Sequence, residues 1–335
     1  MADDSGRTAR RASEGGRSPR DLDRHVDGIG HMREAVDRLV AHDSRHGGDA
    51  IAPAAVRVWR DAQRRLASGA VPGPYRRDYL ASVAEVAELA GWLLFDADRQ
   101  QAARAATLEA RVLARHAGDR SMERFALTNL ALQTVEAGLP GDSLCIADEL
   151  LTQPRIPPRV ALLARIRRGR ALARMGDGGR AANELGRARA ALSDSLTSRD
   201  PTWTWWVDDG ELSGHEGEAL LALDDAGAAL PKLEHAAAAA AAFHPDGRAA
   251  LHHQVSLLRA YTAARAWPEC ESILAALPPK VESVGSGRNR RRLRRALRAV
   301  LSEPGAPGWL AELARDAAEV PAPSGALVAG WCDGE

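Results

Sequence analysis

The sequence predicts an all-α protein built from tandem helical hairpins. Alanine, leucine, arginine and glutamate, which all favour helices, are abundant. Aromatic residues make up only 4% of the chain, and the β-branched and aromatic residues that favour strands are in short supply. A short pattern of small and apolar residues also recurs at five places. The length of 335 residues is ordinary for an array whose core grows by stacking.

Two helices are predicted ahead of the recurring pattern. Residues 1–19 are rich in serine, glycine, arginine and aspartate and are expected to form a disordered tail. From Asp21 the apolar residues fall on one helical face until the Gly47-Gly48 pair. Pro53 suits the start of a second helix, and the Pro-Gly-Pro sequence at 72–74 stops it. Residues 20–78 are therefore predicted to be N-terminal helices that pack on the array.

The recurring pattern is a small residue, a larger apolar residue four positions later and another small or apolar residue three positions after that. The five sets are Ala103, Thr107 and Ala110; Ser143, Ala147 and Leu150; Ala181, Leu185 and Ala188; Ala229, Leu233 and Ala236; and Cys270, Leu274 and Leu277. Twelve residues before each set stand Gly91, Ala131, Gly169, Gly217 and Leu258. Because glycine inside a helix costs about 1 kcal/mol relative to alanine, the three glycines predict close approach between neighbouring helices.

This arrangement is typical of tetratricopeptide repeats, in which each unit is a pair of antiparallel helices. Successive sets are 40, 38, 48 and 41 residues apart, which exceeds the roughly 34 residues of the tetratricopeptide consensus. Longer helices and an insertion near residues 193–206 account for the difference. The sequence thus predicts a right-handed superhelical solenoid of about five hairpins over residues 79–301. It ends in a basic capping helix, and residues 302–335 form a short helix and a flexible tail.

Composition and motifs favour binding over catalysis. The formal net charge is zero, so nothing steers the whole chain toward nucleic acid or an anionic membrane. Cys145, Cys270 and Cys332 are far apart, which fits a reducing compartment and neither a disulfide framework nor a zinc site. No apolar stretch is long enough to span a membrane, and a cytoplasmic protein is expected. Walker, HExxH, GxSxG and GxGxxG motifs are missing, so we expect no catalytic residue, cofactor or metal.

Four segments carry a resemblance to a known family. They are HDSRHGG at 42–48, LAGWLLFDADRQ at 89–100, PTWTWWVDDGELSGHEGEAL at 201–220 and the arginine-rich helix at 287–301. Over roughly residues 22–300 the chain resembles the tetratricopeptide sensor region of lambda-repressor-like (XRE-class) helix-turn-helix transcriptional regulators of GC-rich bacteria. The resemblance implies a regulatory role. That family usually carries a DNA-binding domain first, whereas only about 20 residues precede Asp21. The alternatives are therefore a stand-alone sensor, a partner of a separate helix-turn-helix regulator, or a shortened relative.

The resemblance to tetratricopeptide arrays also implies a binding groove, because the first helix of each hairpin lines the concave side. Matched positions here are Glu85, Glu88, Trp92, Phe95, Asp96, Glu136, Arg170, Arg174, Glu211, Glu218, His252 and Arg259. Their mixed charge suits a peptide or protein segment, with a terminal carboxylate near Arg170 and Arg174. The alternative interpretation is that these side chains form ordinary solvated helix faces.

Two further groups are candidate sites. Trp203, Trp205 and Trp206, with Asp208 as a helix cap, form a candidate aromatic ligand clamp; alternatively they fill the space of the longest repeat. Arg288, Arg291, Arg292 and Arg295 are candidate nucleic-acid contacts; alternatively they form the polar outer face of a capping helix. A DNA-associated regulator and a structural scaffold or homodimer therefore remain the alternatives to a peptide-binding sensor or adaptor.

Overall fold

The computed structural model describes residues 19–195 and 197–323, which are all-helical and contain no β-strand. The α-helices are α1 (Pro19–His46), α2 (Ala52–Ala67), α3 (Arg76–Asp96), α4 (Gln100–Ala117), α5 (Arg120–Glu136), α6 (Pro140–Leu151), α7 (Pro158–Arg174), α8 (Gly178–Ala191), α9 (Asp209–Ala222), α10 (Ala226–Phe243), α11 (Arg248–Ala263), α12 (Trp267–Ala276), α13 (Pro278–Ser283), α14 (Gly287–Ser302) and α15 (Gly308–Glu319). Short 3-10 helices cover Gly73–Tyr75, Ser193–Ser195 and Thr202–Trp206. Nearly all of the predicted N-terminal tail, and the end of the predicted C-terminal tail from 324, lie outside the described residues.

The helices pack in adjacent pairs. The pairs are α3 with α4, α5 with α6, α7 with α8, α9 with α10, α11 with α12, and α14 with α15. The predicted basic capping helix is α14, and it pairs with the short helix that was predicted to follow it, α15. The helices α1 and α2 pack on α3, where the N-terminal helices were expected.

The predicted pattern of small and apolar residues lies in the interior of these pairs. All fifteen residues of the five sets are buried, none more than 6% exposed. The three predicted close approaches are also present. A Cβ atom added to Gly91 would lie 2.4 Å from Thr107 Oγ1, and one on Gly217 would lie 2.5 Å from Leu233 Cγ. Gly169 meets Leu185 Cγ in the same way at 2.7 Å. The register of the hairpins is therefore confirmed.

Each of the first five pairs turns at one residue in the left-handed backbone region. These residues are Asp98, Gly138, Gly176, Asp224 and Arg265, with φ between 57° and 83°. They are separated by 40, 38, 48 and 41 residues, the same intervals that separate the five buried sets. The extra length of the third interval contains the two 3-10 helices at Ser193–Ser195 and Thr202–Trp206. The turn residues and the buried sets therefore keep the same spacing along the chain.

The close approach at Gly217 gives a direct test of the packing. We expect Gly217→Ala to lower the free energy of unfolding by about 1–3 kcal/mol, because its methyl group would overlap Leu233. The matched control is Gly186→Ala on α8, where the glycine is exposed and nothing lies within 4 Å of an added Cβ. That change should raise stability by up to about 1 kcal/mol, since alanine favours helices. Urea denaturation of both variants measures the contrast, and a loss of the same size in both would contradict the packing.

The first helices of the pairs also contact one another in a closed circuit. The helices α3, α5, α7, α9, α11 and α14 each touch the next, and α14 touches α3. In an open array the last pair would contact only the pair before it. The closed circuit therefore places α14 beside the start of the array, and the side that was expected to be an open groove is partly filled.

The two ends of this circuit meet at a glycine-rich junction. The Gly285 N–H donates to the His46 carbonyl at 2.8 Å, and the Asp49 N–H donates to the Gly285 carbonyl at 2.9 Å. The Gly287 N–H donates to Asp49 Oδ1 at 2.9 Å. A Cβ atom on Gly47, whose φ is 77°, would lie 2.6 Å from the Gly285 carbonyl oxygen. The two backbones are thus close enough to exclude a side chain.

Candidate functional site

Five of the six first helices surround one pocket, which we call the arginine pocket. It has a volume of about 230 Å³ and is lined by Val135 and Glu136 of α5, Arg170 and Arg174 of α7, Glu218 and Ala222 of α9, Arg259 of α11, and Arg292 and Arg295 of α14. Pockets that enclose a drug-sized ligand measure roughly 300–1,000 Å³. The arginine pocket is therefore suited to a compact group or to one end of a longer ligand.

Two glutamates hold the inner arginines of the pocket in place. Glu136 Oε1 lies 3.3 Å from an Nη atom of Arg170 and 3.5 Å from one of Arg292. Glu218 Oε2 lies 3.5 Å from Arg259 and 3.9 Å from Arg170, and Glu218 Oε1 pairs with Arg292. Both carboxylates thus bridge arginines from different helices, which fixes α5, α7, α9, α11 and α14 relative to one another.

Both glutamates stay ionised at neutral pH. Burial alone would raise the pKa of Glu136, but Arg292 and Arg170 lower it to about 2. Burial likewise opposes the charge of Glu218, and Arg292, Arg170 and Arg259 hold its pKa well below the ordinary value. A group that exchanges protons during catalysis needs a pKa near the working pH. Neither carboxylate meets that requirement.

The rim of the pocket carries two free arginines. Arg174 and Arg295 are exposed and form no ion pair with any residue in the described part of the chain. Further in, the Nε atoms of Arg170 and Arg292 are buried and have no hydrogen-bond partner among the described residues. Buried donors without acceptors are costly. The pocket therefore offers a ligand the two exposed guanidinium groups at its rim, whereas the Nε atoms of Arg170 and Arg292 are closed off by the surrounding protein.

The structure brings together some of the predicted groove residues and separates others. Arg170, Arg174, Glu218, Arg259 and Glu136 meet in the arginine pocket. The other predicted groove residues lie outside its lining: Glu85, Glu88, Trp92, Phe95, Asp96, Glu211 and His252. Val135, Ala222, Arg292 and Arg295 complete the pocket, although the sequence did not assign them to a groove. The amphipathic pattern of α14 could have pointed to the two arginines, because they lie beside its apolar stripe.

Asp96 is a buried structural residue rather than a groove residue. It is completely buried, accepts the Gly48 N–H at 3.0 Å and the Ser286 hydroxyl at 2.9 Å, and lies 3.6 Å from Arg288 Nε. The indole N–H of Trp92 donates to Asp43 at 2.9 Å. These contacts join α1, α3 and α14, so both side chains serve the junction that closes the circuit.

His215 is a buried residue that the sequence did not single out as a site. Its Nδ1 lies 2.8 Å from an Nη atom of Arg170, and its Nε2 lies 2.6 Å from one of Arg167 and 2.9 Å from Glu211 Oε1. Burial lowers the pKa of His215 to about 4, so the ring is neutral at pH 7. His215, which Glu211 contacts in turn, therefore holds the Arg170 guanidinium in position.

Of the remaining groove positions, Glu85 and His252 are half-buried and Glu88 is buried. His252 Nδ1 lies 3.1 Å from Asn289 Oδ1 of α14. Glu88 accepts a hydrogen bond from the Asn129 side chain. Phe95 is completely buried, with the Arg288 guanidinium 4.8 Å from the centre of its ring. The expectation that these positions face an open groove is wrong for Glu88, Phe95 and Asp96, because α5 and α14 cover them.

Glu88 makes the stability of the protein depend on pH. Burial raises its pKa to about 7, compared with 4.5 for a free side chain. The folded state therefore binds more protons than the unfolded state between pH 4.5 and 7, and stability falls as the pH rises through that window. We expect Glu88→Gln to change stability little at pH 5 and to raise it by about 3 kcal/mol at pH 8. Urea denaturation from pH 5 to 8 measures this, with Glu282→Gln as the exposed control. Parallel curves for wild type and Glu88→Gln would contradict it.

The three tryptophans do not form the expected clamp. Trp203 stacks on Phe125 with ring centres 4.5 Å apart and donates to Ser121 Oγ at 3.0 Å. Trp206 also packs against buried apolar residues, whereas Trp205 is 68% exposed. Asp208 caps α9 by accepting the Glu211 N–H. Two of the indoles thus fill the space of the longest repeat, and the third points to solvent.

The arginines of α14 divide between interior and surface. Arg288 and Arg292 are buried and paired with acidic side chains, and Arg291 pairs with Asp98 at 2.7 Å. Of the four candidate nucleic-acid contacts, only Arg295 is exposed. Arg288 and Arg292 face acidic residues of the first helices and are too buried to contact the backbone of a nucleic-acid duplex.

Comparison with known proteins adds no relative. The chain matches no protein-family model, and no curated protein or solved structure is significantly similar to it. Within residues 19–195 and 197–323, no group of three or more side chains is arranged to hold a metal ion. No helix of the same residues is both long and apolar enough to cross a bilayer.

Proposed function

We propose that this chain is a cytoplasmic, non-catalytic sensor or adaptor of the tetratricopeptide kind. Its hairpins wind as a right-handed superhelix, and it binds a peptide or protein segment on the side formed by the first helices. The hairpin pairs, the glycine contacts at Gly91, Gly169 and Gly217, and the repeated left-handed turns support this class of fold. The link to transcriptional regulation rests on the sequence resemblance alone.

The arginine pocket is the observation that carries the proposal. It is built by five helices that are far apart in the sequence, and its rim arginines are exposed and unpaired. Two unpaired guanidinium groups at one opening favour a carboxylate over a neutral or basic group. The volume admits an end of a chain rather than an extended peptide. A partner segment would therefore place its terminal carboxylate in the pocket while the rest of the segment lies outside it.

Binding is favoured over catalysis by the protonation states in the pocket. Its two carboxylates have lowered pKa values, and the neutral His215 is buried behind Arg170. No group in the lining thus combines access to a ligand with a pKa near neutral pH. This arrangement suits fixed electrostatic recognition.

The test is a binding titration with labelled peptides. The probe is a fluorescein-labelled octapeptide with two glutamates before a free C-terminus, compared with the same peptide carrying a C-terminal amide. We expect the free acid to bind roughly tenfold more tightly, since a charged hydrogen bond contributes about 1.5–3 kcal/mol. Arg174→Gln should remove that preference. Arg298→Gln, an exposed arginine on α14 outside the pocket, is the matched control and should keep it.

Two results would count against the proposal. Equal affinity for both peptides in wild type and Arg174→Gln would show that the pocket does not recognise a chain end. Salt-sensitive binding of a random DNA duplex without binding of either peptide would favour the nucleic-acid alternative, carried by the exposed Arg294, Arg295 and Arg298 of α14.

A further inference from the structure

The arginine pocket carries more positive charge than a single carboxylate can offset. Five arginines and two ionised glutamates line it, which leaves an excess of three positive charges in about 230 Å³. The guanidinium groups around this opening repel one another, and screening by salt is weakest for the buried Arg170 and Arg292. A chain end with one negative charge would neutralise one third of the excess. The electrostatics therefore favour an anionic group of higher charge.

The hydrogen-bond donors of the pocket support the same conclusion. The guanidinium groups come from α7, α11 and α14 and so approach the cavity from three sides. Arg174 and Arg295 are exposed at the rim and form no ion pair with a described residue, so their N–H groups are open to a ligand. A carboxylate has two oxygens to accept from such donors, whereas a phosphate monoester has three terminal oxygens and close to two charges.

We propose that the pocket binds a compact group with at least two negative charges, of the phosphate-monoester class. This inference rests on the proposed function, because it concerns the same pocket and specifies the chemical group that binds there. Arg174 and Arg295 bind the outer oxygens, and Arg170, Arg259 and Arg292 form the inner wall. The group belongs either to a free phosphorylated molecule or to a phosphorylated side chain of the partner segment.

The test is isothermal titration calorimetry at pH 8 and constant ionic strength. The probes are inorganic phosphate, O-phosphoserine, acetate, and an octapeptide carrying one phosphoserine. We expect the two small phosphates to bind at least tenfold more tightly than acetate. Arg174→Gln and Arg295→Gln should each weaken phosphate binding several-fold, whereas the matched Arg298→Gln should not change it. Because all three arginines are exposed, the variants should keep the wild-type melting temperature, which is measured alongside.

The outcomes separate this inference from the proposed function. Phosphate binding no stronger than acetate binding overturns the inference, and equal weakening by Arg298→Gln overturns the assignment to the pocket. If the free-acid peptide of the preceding test binds but phosphate does not, the proposed function stands and the inference falls. If phosphate binds but no peptide does, the inference stands and the proposed function falls. A phosphopeptide that binds much more tightly than phosphoserine identifies a partner segment as the source.

Discussion

Asp96→Ala is expected to lower the free energy of unfolding by about 3–5 kcal/mol. Asp96 is completely buried and accepts hydrogen bonds from the Gly48 N–H and the Ser286 hydroxyl, and it is the acidic partner of Arg288. Its removal leaves two donors and a buried guanidinium without that partner. The cost of such a change exceeds the loss of one contact, because an uncompensated charge remains in the interior.

Urea denaturation of Asp96→Ala and Asp148→Ala measures this effect. Asp148 pairs with Arg168 at 2.8 Å, but its side chain is 47% exposed, so its loss should cost at most about 1 kcal/mol. Asp96→Asn keeps the shape of the side chain and gives a second, milder variant. Hydrogen exchange at the Gly48 amide reports on the junction directly and should accelerate in both Asp96 variants. An Asp96→Ala protein as stable as Asp148→Ala would show that the junction contributes little.

The hairpin register could be predicted from the sequence because it depends on local spacing. Gly91, Gly169 and Gly217 each face the residue sixteen positions later, across a single turn. Within such a pair the helix period and the turn length determine which side chains meet. Small residues at those positions are therefore a reliable sign of close approach, and all five sets proved to be buried.

The closure of the circuit could not be predicted in the same way. Asp96 and Ser286 are separated by 190 residues, and their contact depends on the small rotation that each pair adds to the one before it. Local sequence spacing does not predict the total of those rotations. Glu88, Phe95 and Asp96 were consequently assigned to an open groove, although other helices cover them.

The basic helix α14 was misjudged for a related reason. When α14 is considered alone, its many arginines indicate either a polar outer face or a surface that contacts nucleic acid. In the structure Arg288 and Arg292 face acidic residues that α3, α5 and α9 supply. The role of the α14 arginines depends on acidic side chains of helices that are distant in the sequence, so the sequence of α14 alone could not reveal it. The same pairing explains why the pocket combines residues from two separate predicted sites.

Arg292→Met is expected to lower the free energy of unfolding at pH 7 by about 3–5 kcal/mol. Arg292 is buried, pairs with Glu218, donates to Ser256 Oγ at 2.9 Å and lies 3.5 Å from Glu136. Methionine fills much of the same space but carries no charge. Glu136 would then keep Arg170 as its cationic partner, and Glu218 would keep Arg170, Arg259 and the hydrogen bond from the Ser256 hydroxyl.

The pH dependence distinguishes this electrostatic effect from a loss of packing. Glu136 and Glu218 have lowered pKa values in the folded state, so they stabilise it above pH 4.5. The contribution of Glu136 is lost as the pH falls toward about 2, and that of Glu218 is also lost as the pH falls. Because Arg292 is a main cause of both shifts, the deficit of Arg292→Met should be largest at pH 7 and should shrink below pH 4.5. Urea denaturation at pH 3.5 and 7 measures the difference.

Arg298→Met on the exposed side of the same helix provides the control and should change stability by less than about 0.5 kcal/mol. Combining Arg292→Met with Glu218→Gln completes a double-mutant cycle. The double variant should lose less free energy of unfolding than the two single variants lose together, because the neutral glutamine no longer needs a cationic partner. A deficit that is the same at both pH values, or strictly additive effects, would show that Arg292 acts only by filling space. In that case the three excess positive charges of the pocket would belong to arginines that act independently, and the pocket would not be one coupled network.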